Sequence, residues 1–358
     1  MPEITVLMPV YNAERFLRKA LESVLIQGFK DFELLIINDG STDRSAEIID
    51  SFKDPRIKMV YQENRGVAEA LKVGVEIAQG KYLARMDADD ESLPNRLALQ
   101  KKLLDEHPDT CLVYGMHELI DTEGKTVRSK CGRYLSDNQI KWMLLWGNAI
   151  THPTVMIRLQ ILRKYGINYR PETNGAEDFD LWNRLADKGK FLFLSEVVLR
   201  YRMNPASVNR VNRGDRQLRA YRRVIQENFI RYGIPLTLET AEELAVISGQ
   251  TRENPLTFSY RFLPNEIFNL FQVMVQKYIE KTGAQVKELY PEQAKQLGRW
   301  ARNLLHRSHK TSKSLLVEAL KIHPYILFER AFLLTLLSLF LPKAAIQEIN
   351  KGRTRPLY

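Results

Sequence analysis

The sequence has few cysteines and lacks a glycine-rich phosphate-binding loop, and each absence excludes a class of protein. Two cysteines, Cys111 and Cys131, occur in 358 residues, too few for a disulfide scaffold or a four-thiolate zinc site. Two unpaired thiols in a reducing compartment are therefore expected. The first apolar run continues as Tyr11-Asn12-Ala13-Glu14. A dehydrogenase is disfavoured because this stretch has no Gly-x-Gly-x-x-Gly.

The sequence also lacks the features of a disordered or secreted chain. Its 44% hydrophobic and 27% charged residues are ordinary for a folded protein. No basic segment precedes the first apolar run, and Pro9 interrupts that run, so we predict a strand there and no signal peptide. The chain is long enough for one large α/β domain with a smaller appendage.

The net charge of +10 is unevenly distributed along the chain. Residues 1–110 carry 15 basic and 20 acidic side chains, whereas residues 111–209 carry 14 and 10. Residues 210–358 carry 24 basic and 13 acidic side chains, a net of +11. The basic C-terminal part indicates an anionic partner there.

The first half of the chain alternates apolar, β-rich runs with helical patterns, which predicts a mostly parallel sheet flanked by helices. We predict strands over 4–10, 32–37, 57–61, 82–86, 111–115, 154–157, 191–194 and 197–202. The intervening helices are predicted over 13–27, 45–52, 67–78, 94–107, 137–146 and 178–188, with a polar hairpin-like insertion over 116–133. Residues 215–350 have helical patterns without a convincing strand. The predicted domains are therefore 1–210 and a basic helical region, 211–358.

Four polar segments fall where predicted strands end or a helix begins, namely 9–12, 38–41, 87–90 and 177–178. Open α/β sheets bind ligands at the carboxyl ends of their strands. The acidic triplet of segment 87–90 suits a divalent cation bound together with phosphates, although a solvated acidic turn before a helix gives the same pattern. Asp39 could accept a hydrogen bond from a nucleotide base, or it could only stabilise the turn in which it lies. Tyr11 could stack on that base or pack as an ordinary aromatic.

The order and spacing of these segments resemble family 2 glycosyltransferases of the GT-A fold over about residues 3–210. The matching stretches are 6–12, ELLIINDGSTD at 33–43, 64–74, YLARMDADDESLPNR at 82–96, EDFDLWNRL at 177–185 and Tyr201-Arg202. The middle region also resembles bacterial β-1,3-N-acetylglucosaminyltransferases of lipooligosaccharide synthesis, at Gly147-Asn148, 154–157 and 176–182. The resemblance implies an inverting hexosyl- or N-acetylhexosaminyltransferase of the cell envelope.

The resemblance also implies roles for individual residues. Asp89 would ligate Mn²⁺ or Mg²⁺ at the donor diphosphate, and Asp178 would be the general base for the acceptor hydroxyl. The uracil would lie among Pro9, Tyr11 and Asp39, and Asp87 would contact the ribose. The full set of expected nucleotide-sugar contacts is Pro9, Tyr11, Asn12, Glu14, Asp39, Asp87 and Ala88.

Some positions depart from the family pattern, and others have two interpretations. The family often has histidine where this chain has Asn204, and the amide oxygen of Asn204 would be a weaker metal ligand. The family also often has asparagine where this chain has Lys72. Glu177 is predicted to orient the acceptor or the helix start. His152 and Trp182 could contact the acceptor side, but a packing role is the more ordinary explanation for both.

The C-terminal region has two features that could meet a membrane. Arginines recur every third residue from Arg210 to Arg222, with Arg223 beside them, and an apolar run over 331–341 is too short to span a bilayer. We predict a cytoplasmic protein with peripheral contact to anionic membrane at its inner face. A solvated basic face and a buried core helix are the alternatives. Nucleic acid is not expected because no recognition motif accompanies the arginines.

Two other functions share parts of this pattern. A nucleotidyltransferase can use the same sheet and acidic metal site, but such enzymes usually carry a basic, glycine-rich loop after the first strand. A non-catalytic nucleotide-sugar-binding module would not need Asp89 and Asp178. The sequence therefore favours transfer from a nucleotide-sugar, preferentially a UDP-sugar such as UDP-N-acetylglucosamine, to a glycan or lipid-linked acceptor.

Overall fold

The computed structural model describes residues 1–204, 214–249, 264–304 and 309–323, together with residues 326, 332 and 335. The chain divides into two compact units. The first comprises the described parts of Met1–Ile140 and Asn148–Arg216, and the second those of Lys141–Gly147 and Gln217–Tyr358. We call them the sheet unit and the helical unit.

The sheet unit is built on a nine-stranded mixed sheet in the order β3-β2-β1-β4-β8-β6-β9-β5, with β7 paired to β6. Its strands are β1 Ile4–Val10, β2 Phe32–Asp39, β3 Ile57–Gln62, β4 Tyr82–Arg85, β5 Glu91–Ser92, β6 Thr110–Ile120, β7 Thr126–Cys131, β8 Val155–Arg158 and β9 Lys190–Arg202. The first four strands along the chain are parallel to one another. The predicted α/β class is confirmed.

One antiparallel strand determines which strand ends meet. β8 runs antiparallel to both β4 and β6, and β6 runs parallel to β9. The strands β1, β2, β4, β6 and β9 therefore all point the same way, and their carboxyl ends lie along one edge of the sheet. Open α/β sheets bind ligands at this edge.

Helices cover the sheet through apolar faces. They are α1 Glu14–Leu25, α2 Ser45–Asp50, α3 Val67–Ile77, α4 Arg96–Glu106, α5 Asp137–Met143, α6 Leu159–Tyr165 and α7 Glu177–Leu185. Buried residues Phe16, Leu17, Leu21 and Val24 of α1 recur at helical spacing. β2 is buried at every position, because both of its faces are covered.

Three elements differ from the sequence prediction. The strands expected over 191–194 and 197–202 form one strand, β9, which accommodates register shifts where it pairs with β6. β6 continues to Ile120 instead of ending at 115, because β7 and β9 supply hydrogen-bonding partners for its second half. α6, one short helix after β8, was not predicted.

The helical unit has an aromatic core. Its helices are α8 Gly214–Arg231, α9 Leu238–Ile247, α10 Pro264–Thr282, α11 Val286–Leu304 and α12 His309–Ile322. Trp146 packs within 5.1–5.5 Å, between ring centroids, of Trp142, Phe229, Phe271 and Trp300. The described residues of this unit contain no strand, which confirms the helical prediction for the C-terminal region.

The predicted membrane features are only partly described. Arg210 and Arg213 lie outside the described residues, as does the apolar run 331–341 apart from Phe332 and Thr335, which are buried. Arg222 pairs with Glu242 at 2.6 Å and Arg223 with Glu227 at 3.0 Å, whereas Arg216 and Arg219 are exposed. Among the described residues, no helix has the length and hydropathy needed to cross a membrane.

Candidate active site

The loops after β1 and β2 are joined by hydrogen bonds. Asn12, whose φ is +48°, accepts the backbone N–H of Thr42 at 2.8 Å and donates its own N–H to Ser41. The Glu14 carboxylate accepts the N–H of Arg44 at 3.0 Å, and the Glu14 N–H is donated to Asp43. Both side chains therefore hold the expected nucleotide loops together.

Asp39 organises the loop that precedes α3. Its carboxylate accepts hydrogen bonds from the N–H groups of Arg65 at 2.9 Å and Gly66 at 2.8 Å, and from the Gln62 amide at 2.6 Å. It is buried at the end of β2, whereas Tyr11, at the end of β1, is 43% exposed. Pro9 is half-buried within β1. Asp39 thus has most of its acceptor capacity in use, and Tyr11 is exposed to solvent.

The acidic triplet after β4 forms one cluster. The carboxylates of Asp87, Asp89 and Asp90 lie within 4.8 Å of one another. Burial, with the charge of Asp87, raises the pKa of Asp89 to about 6. Burial and the two neighbouring carboxylates raise the pKa of Asp90 well above its usual range. Ala88, between them, is buried.

One oxygen of this cluster has no hydrogen-bond partner. Asp90 Oδ1 accepts the backbone N–H of Arg202 at 2.8 Å, but its buried Oδ2 has none. The Asn204 amide lies 3.5 Å from Asp89 Oδ2, and Arg202 donates to the Asp89 carbonyl at 2.8 Å. Asp87 and Asp89 are half-buried and Asp90 is buried. Three carboxylates this close repel one another, and together with the unsatisfied Asp90 oxygen they have the chemistry of a divalent-cation site.

The carboxylates Glu177 and Asp178 open α7. Asp178 Oδ1 accepts the N–H of Phe179 at 2.7 Å, and Oδ2 accepts the side-chain amide of Asn148 at 2.6 Å. Glu177 is buried and accepts the Gly175 N–H at 2.7 Å. Burial, with the charge of Asp178, raises the pKa of Glu177 to about 7.

Arg85 and Tyr169 connect the two acidic groups electrostatically. Arg85 is a buried cation that pairs with Asp87. Its charge acts on Asp89, Glu177 and Tyr169. The buried Tyr169 is also within electrostatic range of Asp178 and Asp87. The acidic triplet and the start of α7 therefore lie within electrostatic range of the same buried residues, Arg85 and Tyr169.

His152 and Trp182 lie inside the protein. His152 Nε2 is 2.8 Å from the Tyr169 hydroxyl, and the His152 ring meets the Trp182 ring edge-on at 5.6 Å. Trp182 is fully buried, and burial lowers the pKa of His152 well below its usual range. This placement favours the packing role for both. Direct acceptor contact stays a prediction.

Sequence reasoning assigned no role to Asp90, Arg85 or the Asn148 side chain. Asp90 belongs to the recognised triplet, but only the structure shows that one of its oxygens is buried without a hydrogen-bond partner. A role for Arg85 could have been predicted from the sequence, because it is a lone cation in an apolar strand and a buried cation must be paired. The pairing of Asn148 with Asp178 joins positions 30 residues apart, so local patterns could not reveal it.

The sheet order and the acidic residues at its carboxyl edge define a glycosyltransferase of the GT-A fold. The model of the glycosyl transferase family 2 matches residues 5–166. An uncharacterized glycosyltransferase of Methanocaldococcus jannaschii is 33% identical over 208 residues, covering 56% of this chain and 71% of that protein. The chain belongs to glycosyl transferase family 2.

Two solved structures share the fold at low sequence identity. TarS of S. aureus, residues 1–349, is 16% identical with a TM-score of 0.55, covering 91% of this chain and 92% of that one. A TarS structure holds UDP-GlcNAc. A mannosyltransferase of Pyrobaculum calidifontis, solved with GDP-Man and Mn²⁺, is 17% identical with a TM-score of 0.50, covering 92% of this chain and 88% of that one.

Proposed function

We propose that the protein transfers a sugar, with inversion, from a nucleotide-sugar to a glycan or lipid-linked acceptor. The observation that carries this proposal is the carboxylate cluster of Asp87, Asp89 and Asp90, together with the charge of Arg85, which acts both on Asp89 and on Glu177 beside Asp178. A donor diphosphate needs its charge neutralised, and an acceptor hydroxyl needs a base. Family membership favours this activity over nucleotidyl transfer.

The residues of the acidic triplet fit a divalent ion. Asp89, with Asp87 and Asp90, would hold Mn²⁺ or Mg²⁺, since these ions prefer carboxylate oxygens and Asp90 Oδ2 is buried without a partner. Asn204, beside Asp89, is the candidate additional ligand. When bound, the ion would stabilise negative charge on the departing diphosphate.

Asp178 is proposed as the general base. The Phe179 N–H and the Asn148 amide donate hydrogen bonds to its two oxygens and orient the carboxylate. The acceptor hydroxyl would give its proton to this carboxylate as its oxygen bonds to the anomeric carbon and the nucleotide diphosphate leaves from the opposite face. One displacement of this kind inverts the anomeric centre.

The donor is proposed to be a UDP-sugar, with UDP-N-acetylglucosamine preferred. The exposed Tyr11 ring supports stacking on the base, and Asp39 lies next to it at the sheet edge. The proposed nucleotide-sugar contacts remain Pro9, Tyr11, Asn12, Glu14, Asp39, Asp87 and Ala88. Fold relatives solved with UDP-GlcNAc and GDP-Man support a nucleotide-sugar donor of this general class.

We also propose separate functions for the two regions of the chain. Residues 1–210 would carry catalysis, and the basic region 211–358 would bring the enzyme to anionic membrane at the cytoplasmic face. The net charge of +11 over residues 210–358 supports that assignment.

A donor-hydrolysis and transfer screen tests the proposed function. UDP-, GDP- and dTDP-sugars would be incubated with the full chain, with Mn²⁺, with Mg²⁺ and with chelator. We expect nucleotide release from a UDP-sugar only when metal is present. Binding without turnover of any sugar, with or without candidate acceptors, would favour a non-catalytic module, and metal-independent turnover would refute the metal assignment.

A further inference from the structure

Asn148 contacts the proposed base directly. Its Nδ2 lies 2.6 Å from Asp178 Oδ2, and its Oδ1 accepts the backbone N–H of Ile150 at 3.1 Å. An amide oxygen occupied by an N–H donor must turn its NH₂ group the other way. The Ile150 N–H therefore fixes the Asn148 amide with its donor side toward the carboxylate.

We propose that Asn148 is the positioning residue of the catalytic base, an inference that rests on the proposed function of Asp178. Together with the Phe179 N–H, the Asn148 amide binds the Asp178 carboxylate at two points and restricts its rotation about the side-chain bond. A hydrogen bond to the charged form of a carboxylate stabilises that form. Asn148 thus stabilises the charged form of the carboxylate and orients it for the acceptor hydroxyl.

Other charged and titratable groups share this environment. Glu177 precedes Asp178 and lies within electrostatic range of it. Tyr169 lies within range of both carboxylates, and the charge of Arg85 acts on Glu177. These groups are retained when Asn148 is changed, so comparison of the alanine and aspartate variants reports on the amide donor that faces Asp178.

Two variants of Asn148 separate positioning from packing. Asn148→Ala removes the donor and should lower kcat about 10- to 100-fold, with the UDP dissociation constant within about twofold of wild type. Asn148→Asp keeps the oxygen for Ile150 but puts a second carboxylate against Asp178. Like charges this close disfavour ionisation, so the acid limb of the kcat–pH profile should move up by about one pH unit or more.

The matched control is Asn303→Asp in the helical unit. Asn303 makes an amide hydrogen bond of the same length, 2.6 Å, to the Ile247 carbonyl. This variant should leave the pH profile in place. If Asn148→Asp also leaves it in place, or if Asn148→Ala loses donor binding in proportion to kcat, Asn148 has only a structural role.

A second background distinguishes this inference from the proposed function. Asp178→Asn should by itself lower kcat, and adding Asn148→Ala to it should cause no further loss, because the hydrogen bond has no base left to position. A further loss of tenfold in the double variant would overturn the inference. A fully active Asp178→Asn enzyme would instead overturn the assignment of the base, whatever the Asn148 variants do.

Discussion

The three carboxylates of the acidic triplet lie within 4.8 Å of one another and therefore repel one another. Burial of Asp90, and partial burial of Asp87 and Asp89, reduces the water that would screen this repulsion. Arg85 offsets part of this charge. A divalent ion would offset the rest, so metal binding should depend strongly on each carboxylate.

Asp89→Asn is expected to weaken Mn²⁺-dependent UDP binding and to lower transfer at least about 100-fold, because metal stabilisation of the leaving group contributes several kcal/mol. Calorimetry of UDP binding with Mn²⁺ and with chelator checks this. The control is Asp54→Asn, which removes a carboxylate paired with Arg56 away from the triplet. Unchanged Mn²⁺-dependent UDP affinity in Asp89→Asn would show that the ion binds elsewhere.

Asp178→Asn is expected to lower kcat by about 10²–10⁴-fold and to leave UDP affinity close to wild type, because general-base catalysis contributes on this scale. Glu177→Gln should have a smaller effect, since its carboxylate is buried against the Gly175 N–H. Steady-state transfer assays and UDP titrations of both variants provide the comparison. Loss of UDP binding in Asp178→Asn would place this residue in the donor site instead.

Glu177 should also make stability depend on pH. Its pKa is raised from 4.5 to about 7 by burial and by Asp178. The folded protein therefore holds this proton more tightly, and the free energy of unfolding falls as pH rises through that window. At pH 7.5, the free energy of unfolding of Glu177→Gln should therefore be higher than that of wild type by about 1–3 kcal/mol.

Urea unfolding at pH 4.5 and 7.5 tests this expectation by difference between the two proteins. The raised pKa values of Asp89 and Asp90 make stability depend on pH in the same direction. Both residues are present in wild type and in the variant, so their effect cancels in the difference. The two free energies should approach each other at pH 4.5. A gap that does not change with pH would assign the effect of the substitution to packing instead of proton binding.

At the scale of elements, helix α3 approaches strand β1 closely, beside the loop that Asp39 holds. A Cβ at Gly74 of α3 would lie 2.2 Å from a methyl carbon of Leu7, which is fully buried in β1. The same helix begins at the Gly66 loop that Asp39 holds. Packing of α3 and the geometry of the Asp39 loop are therefore linked.

Gly74→Ala is expected to lower the free energy of unfolding by about 1–3 kcal/mol, because a packed core absorbs an added methyl only by shifting neighbours. Gly28→Ala is the matched control, since its Cβ would meet nothing closer than 3.7 Å. Thermal unfolding of both variants measures the effect. Equal midpoints for the two would mean that α3 moves away from β1 without cost.

At the scale of the whole molecule, charge separates the two parts of the chain. Residues 1–110 carry a net charge of −5 and residues 210–358 a net charge of +11. Among the described residues of α8, Arg216 and Arg219 are exposed, while Arg222 and Arg223 are in ion pairs. Among the arginines of the stripe that the structure describes, this exposed pair is the better placed to contact an anionic surface.

The full chain is expected to sediment with phosphatidylglycerol vesicles at low salt and to be released by high salt. Arg216→Glu with Arg219→Glu should weaken binding by about tenfold or more, since each basic residue contributes about 1 kcal/mol at such a surface. Arg44→Glu, an exposed change in the sheet unit, is the control. Absence of pelleting at low salt would leave the helical unit without a membrane role.

Much of the fold could be predicted from the sequence because the deciding patterns are local. Apolar runs such as 32–37 and helical spacing such as that of α1 each depend on a few neighbouring residues, and their alternation predicts the α/β sheet. The acidic triplet and Glu177-Asp178 could be located for the same reason, since they follow or begin such elements. Their grouping as a candidate site needed only the rule that strand ends meet at one edge.

Only the tertiary structure decided which groups face one another. The buried oxygen of Asp90, the Asn148–Asp178 hydrogen bond and the inclusion of 141–147 in the helical unit all join distant parts of the chain. The length of β9 likewise depended on β6 beside it. Contacts of this kind arise from packing, where burial and hydrogen-bond satisfaction are settled between elements, and no pattern within one element records them.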